Sequence, residues 1–207
     1  MLQLSQLVNN TGIDPDLLRT YGAVSCKLKK AEGIFVEGMP ARFYFQLLSG
    51  KVRMYNTGPD GKEFTQGFFG PGNSFGEPPL FVEAGYPASA QACCESVLLK
   101  LSKDKFLELL QQHPETNAIL LRVLSNRVLT KAHISKNNAI NPPEVRIMEL
   151  LLANKQASSV STIAEVVPFT RQEIAHLTGL RVETVIRAIG KLAESGKISI
   201  RERKIYL

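Results

Sequence analysis

Long hydrophobic runs are missing from this 207-residue chain. No stretch approaches the ~18 apolar residues of a membrane span, and the first residues lack the basic-then-apolar pattern of a secretion signal. The chain is therefore expected in the cytoplasm, with no membrane partner. Cysteine is scarce: Cys26, Cys93 and Cys94 are odd in number and two are adjacent, which suits reduced thiols rather than a disulfide framework. Histidine is confined to His113, His133 and His176, none of them between Gly33 and Leu101, where short strands are expected. A metal-dependent enzyme built on those strands would need several inward His or carboxylate ligands, so it stands only as a distant alternative. There is no Ser/His/Asp arrangement and no phosphate-binding glycine loop, and the chain is not read as an enzyme.

What is present is an ordinary globular composition, 44% hydrophobic and 21% charged, with a net charge of +6 and a pI near 9.3. That balance suits a polyanionic partner. The most informative stretch runs from Thr170 to Leu207. Thr170-Arg171-Gln172-Glu173 has the form of a capping box, in which the Thr hydroxyl and the Glu carboxylate each satisfy a backbone N–H at a helix start. Ile174, Ala175 and Leu177 supply an apolar stripe, and Gly179 can take the left-handed conformation that ends a helix. From Arg181 a second helix is expected, with Val185, Ile189 and Leu192 on one face and Arg181, Thr184, Arg187 and Lys191 roughly opposite. After Ser195-Gly196, the alternation Ile198, Ile200, Ile205, Leu207 around Arg201-Glu202-Arg203-Lys204 reads as a two-stranded wing with a charged tip. Two helices on a tight turn followed by a hairpin form a winged helix-turn-helix, whose partner is double-stranded DNA.

Upstream, Gly33 to Leu101 carries short apolar runs punctuated by turns, such as Phe43 to Leu48, then Ser49-Gly50, then Val52 to Tyr55, and a second hairpin signal at Asp60-Gly61. Strands this short and regular predict a small antiparallel roll. Cys93-Cys94 lies on a strand-like run and reads as core rather than as a redox pair. From Pro114 to about Asn138 the period becomes helical. Leu121, Leu124, Val128 and Ala132 form one stripe, which Leu120 and Val123 widen. Such a helix is roughly 36 Å long, more than a small roll covers, so the stripe is read as a symmetric dimer seam. Asn141-Pro142-Pro143 breaks the helix and makes a hinge.

Roll, long helix, hinge and winged helix-turn-helix, in that order, resemble the Crp/Fnr family of bacterial transcription regulators across nearly the whole chain. The resemblance is carried by Thr170-Arg171-Gln172-Glu173-Ile174 with Glu183-Thr184-Val185 and Arg187, and by Gly72-Asn73-Ser74-Phe75-Gly76-Glu77 with Ala88-Ser89-Ala90. It implies an α+β chain: residues 1–112 an antiparallel, jelly-roll-like sensing domain, 113–140 a dimerisation helix and hinge, and 141–207 the DNA-binding domain. It also implies that Arg187 reads a guanine and Glu183 a base amino group, with Arg171 and Gln172 on phosphate. Arg181, Val182, Thr184 and Lys191 complete the expected DNA face. Val182 departs from regulators that place a second arginine there.

For an effector, the resemblance points to Gly76, Glu77, Ala88, Ser89 and Lys131. Members that bind cyclic AMP have an arginine where this chain has Ala88, and Lys131 replaces the polar residue that reads adenine, so cyclic AMP is not expected. An iron–sulfur cluster needs four cysteines and is not expected either. Haem on His113, His133 or a cysteine stays open, as does a regulator with a degenerate pocket that needs no ligand. The implied partners are DNA, a second copy of the chain, RNA polymerase and a small-molecule effector.

Overall fold

The computed structural model describes residues 12–61, 63–157, 166–167, 169–202 and 204–207; the side chains of 133–134, 137–139, 153–157 and 176 are also left undescribed. The chain divides into two compact units, with the boundary between Ser125 and Asn126.

The first unit opens with a short helix, α1 (Pro15–Thr20), in which the Asp14 carboxylate accepts from the Asp16 N–H. Eight strands follow: β1 (Val24–Leu28), β2 (Gly33–Phe35), β3 (Phe43–Ser49), β4 (Val52–Thr57), β5 (Glu63–Phe69), β6 (Ser74–Phe75), β7 (Ser89–Ala92) and β8 (Ser96–Ser102). A one-turn helix, α2 (Pro78–Phe81), interrupts them between β6 and β7. The strands form two antiparallel sheets, ordered β1-β8-β3-β6 and β2-β7-β4-β5. The fold is thus the expected antiparallel roll within an α+β chain. Ser49-Gly50 turns the chain between β3 and β4. Gly50 has φ +91, and a Cβ there would lie 2.6 Å from the Glu95 carbonyl oxygen, so a side chain fits neither the backbone nor the space.

The near-continuous apolar run of β3 has a specific cause: both faces of this strand are covered. Phe45 and Leu47 enter the roll interior with Phe35, Val52, Met54, Phe75, Ala88, Ala90 and Leu98. Tyr44 enters a second core with Leu99, Leu101, Ile13, Leu18, Phe106, Leu109, Leu110 and Leu120. That second core is roofed by α1, by α3 (Lys103–Gln112) and by the first turns of α4 (Pro114–Ile140). The buried polar residue of β3, Gln46, is satisfied: its amide donates to the Ile13 carbonyl at 2.7 Å and its oxygen accepts from Tyr44 Oη at 2.8 Å. Cys93 and Cys94 correct an expectation. They sit in the bend between β7 and β8 rather than on a strand, Cys93 half-buried and Cys94 exposed, so they are not core.

The second unit contains the remainder of α4, then α5 (Pro143–Ala157), α6 (Arg171–Thr178), α7 (Val182–Glu194) and the paired strands β9 (Ser199–Arg201) and β10 (Lys204–Tyr206). The α4–α5 break falls at Asn141-Pro142, with Pro143 opening α5. Its core joins Ile147 and Leu151 of α5, Ile174 and Ala175 of α6, Val185, Ala188, Ile189 and Leu192 of α7, and Ile198 and Ile205 of the wing.

Candidate nucleic-acid interface

The local sequence accounts for the α6–α7 geometry. Thr170 Oγ1 accepts from the Glu173 N–H at 3.1 Å, and Glu173 Oε2 accepts from the Thr170 N–H at 2.9 Å, completing the capping box. Gly179, at φ 65, ends the helix in the left-handed conformation, with its N–H on the Ala175 carbonyl. Arg146 of α5 fixes that end from outside by donating to the Thr178 carbonyl oxygen, a cation on the negative end of α6. Burial pushes its guanidinium below the ordinary arginine value.

The fold of α7 follows from one-sided burial. Val185, Ala188, Ile189 and Leu192 are 0 to 2% exposed and face the core. Glu183, Arg187 and Lys191 are exposed on the outer side, and Thr184 is half-buried at its margin. Arg181 is the N-cap of α7, exposed, and makes no side-chain cap bond. Val182 packs partly against the domain core. Lys191 Nζ lies 2.9 Å from Glu144 Oε1 of α5, so its ammonium already has a carboxylate neighbour. Arg171 is half-buried and Gln172 exposed in the first turn of α6. In the wing, the Arg201 guanidinium lies over the Tyr206 ring at 5.7 Å, and Arg203 is outside the described residues. The sequence pattern alone overlooked Ile186, which is 50% exposed on α7 between Glu183 and Arg187. An apolar residue off the Val185–Ile189–Leu192 stripe was the available signal.

The residues expected around an effector are distributed as follows. Gly76 has φ +76, and a Cβ on it would come within 3.2 Å of the Phe35 and Tyr86 rings, which stack at 3.8 Å. Glu77 is fully buried and its carboxylate accepts from Ser74 Oγ. Ala88 is fully buried in the roll core, and Ser89 Oγ accepts from the Glu37 N–H at 3.0 Å. Burial pushes the Tyr86 phenol above its ordinary value, so this group is a neutral hydroxyl, donating to the Phe43 carbonyl at 3.3 Å. No lysine or arginine is buried among the described residues. Lys131 is exposed on α4 in the second unit.

The expected dimer stripe divides. Leu120 and Val123 are 6% and 5% exposed, and Leu124 packs partly on the second core. Leu121 and Val128 are 64% and 66% exposed in the protomer, and Ala132 is exposed as well. His113 Nδ1 lies 3.0 Å from Glu115 Oε1, and its ring meets Tyr21 edge-on at 5.7 Å. The side chains of His133 and His176 are outside the described residues. Among the described residues no three His, Cys, Asp or Glu side chains gather as a metal site.

Comparison with known proteins finds a cyclic nucleotide-binding domain over residues 25–113 and a Crp-like helix-turn-helix domain over 145–207. The chain is 30% identical over 171 residues to the cyclic AMP receptor protein of Thermus thermophilus, covering 81% of this chain and 76% of that one. It is 28% identical over 181 residues to the CRP-like cAMP-activated global transcriptional regulator of Mycobacterium tuberculosis, covering 84% and 79%. Among solved structures, a CRP/FNR-family transcriptional regulator of Thermus thermophilus matches at TM-score 0.67 and 26% identity, over 89% of this chain and 93% of that one. The c-di-GMP responsive global regulator CLP of Xanthomonas campestris shares the fold at TM-score 0.74 and 23% identity, over 94% and 99%.

Proposed function

The chain belongs to the Crp/Fnr family of transcription regulators, and from that membership we propose that it acts as a homodimer whose two α7 helices read successive half-sites in the major groove of DNA. It is a DNA-binding regulator and not an enzyme, which removes the metal-dependent enzyme alternative. The observation that carries the proposal is the outer face of α7, where the Glu183 carboxylate and the Arg187 guanidinium stand exposed one turn apart on a helix whose other face is buried. Arg187 can donate two hydrogen bonds to guanine O6 and N7, and Glu183 can accept one from a base amino group. Arg171 and Gln172 on phosphate, with the N-terminus of α6, set the register, and Arg181, Thr184 and Lys191 flank the readout. Val182, held against the core, is a packing residue at the edge of this face.

Dimerisation through α4 is supported by the exposure of Leu121, Val128 and Ala132, with Leu124 shared between the roll and the seam. The domains proposed are the roll at 1–112, the dimerisation helix and hinge at 113–140 and the DNA-binding domain at 141–207. The roll biases the hinge between DNA-competent and incompetent geometries, a population shift set by an effector near Gly76, Glu77, Ala88 and Ser89. The effector is not cyclic AMP. A cyclic phosphate needs a counter-charge, and Ala88, wholly inside the roll core, offers none. A ligand-independent regulator is the second reading, favoured by the Ser74–Glu77 bond that already occupies the carboxylate. RNA polymerase is the proposed partner on the promoter.

Selection of binding sites from random duplex DNA, with and without cell extract of small molecules, tests this account. Two-fold symmetric sites with half-sites ~34 Å apart are expected. Enrichment only with extract supports the effector reading, and enrichment without it supports the ligand-independent one. No enrichment in either arm contradicts DNA readout by this face.

A further inference from the structure

Ile186 is out of place by the ordinary rule of α7. Every other large aliphatic of that helix lies in or against the core, yet Ile186 is 50% exposed. Its position follows from 3.6 residues per turn: it lies about 60° from Glu183 on one side and about 60° from the buried Ile189 on the other, at the margin of the outer face, with Gly190 one turn on. Gly190 is the second oddity. Glycine weakens a helix interior relative to alanine, and a Cβ on Gly190 would meet nothing within 4 Å, so no internal contact calls for its small size. Side chains of a helix lean back toward the preceding turn, so any longer residue at 190 would lie over position 186. With glycine there, the outward surface of Ile186 is bare.

A branched aliphatic left uncovered beside a carboxylate and a guanidinium is unsuited to water or to phosphate. It is suited to the one apolar group that the major groove presents, the thymine 5-methyl. We propose that Ile186, uncovered by Gly190, is a specificity-determining residue that selects a thymine in each half-site by contact with its methyl group. This rests on the DNA-reading role of α7. Glu183 and Arg187 then fix the polar pattern of the half-site, while Ile186 adds a preference that no hydrogen bond supplies.

The test uses full-length protein and a duplex site selected from random DNA, with each thymine of the half-site replaced in turn by deoxyuridine, which removes only the methyl. One position per half-site is expected at which wild type loses about fourfold in affinity per methyl removed, the worth of one buried methyl-sized group. Ile186→Ala, at an exposed position, and Gly190→Leu, which covers Ile186, are each expected to erase that sensitivity. Arg187→Ala is expected to weaken binding but keep the methyl sensitivity. A selected site without thymine, indifference of wild type to every replacement, or a penalty that persists in Ile186→Ala overturns the inference and leaves DNA reading by α7 intact. Failure to select any site overturns both.

Discussion

Lys191 Nζ of α7 lies 2.9 Å from Glu144 Oε1 of α5, so a lysine on the proposed DNA face is held by a carboxylate of its own domain. The hydrogen bond from Lys191 is the main reason that Glu144 titrates below its ordinary carboxylate range. A carboxylate whose pKa is lowered by folding stabilises the folded state above its unfolded pKa, and that stability is lost as pH falls through the folded value. The pair is partly exposed, so screening keeps its worth to no more than about 1 kcal/mol. Glu144→Gln should therefore flatten the acid limb of the urea-unfolding stability profile below about pH 4.5, where unfolded glutamate begins to protonate. At neutral pH the same variant should bind DNA slightly tighter, because Lys191 is released toward phosphate. Weaker binding with an unchanged acid limb would show that the pair serves neither purpose.

The capping box sets the start of α6. Thr170→Ala removes the hydroxyl that meets the Glu173 N–H, and a loss of about 1 kcal/mol is expected in urea unfolding of the DNA-binding unit. Since α6 also offers Arg171 and Gln172 to phosphate, affinity for nonspecific DNA should fall as well. Thr170→Ser should retain both properties.

The long helix separates two roles residue by residue. Leu120→Ala opens a buried site in the second core, beneath α1 and α3, and should cost about 2–5 kcal/mol of stability. Val128→Glu changes a side chain that is exposed in the protomer, so the chain should stay folded while sedimentation shows a monomer at concentrations where wild type is a dimer. A Val128→Glu variant that stays dimeric places the seam elsewhere.

Cyclic AMP should leave the melting temperature of the roll unchanged at concentrations that shift a binding protein measurably, since a ligand stabilises by RT ln(1 + [L]/Kd). A rise that grows with concentration would contradict the role assigned to Ala88.

Much of this was legible in the sequence because local chemistry decides it. Thr170-x-x-Glu173 and Gly179 fix the ends of α6 within a few residues, and Pro142-Pro143 ends α4. Cys93 and Cys94 were not legible: the residues around them alternate like a strand, but the chain bends between β7 and β8 and leaves Cys94 exposed. The division of the α4 stripe was hidden for a related reason. Periodicity places Leu120, Leu121, Val123 and Leu124 on one broad apolar band, and only packing against the second core takes Leu120 inside while leaving Leu121 outside. Ile186 escaped notice because apolarity suggests core, whereas it stands 50% exposed at the margin of the buried stripe.

Base reading by α7 is tested by the affinity of wild type and Arg187→Ala for the selected duplex and for one in which the guanine opposite Arg187 is replaced in both half-sites. The base change is expected to cost wild type about 1–3 kcal/mol per half-site and Arg187→Ala almost nothing. Equal penalties in the two proteins would contradict it.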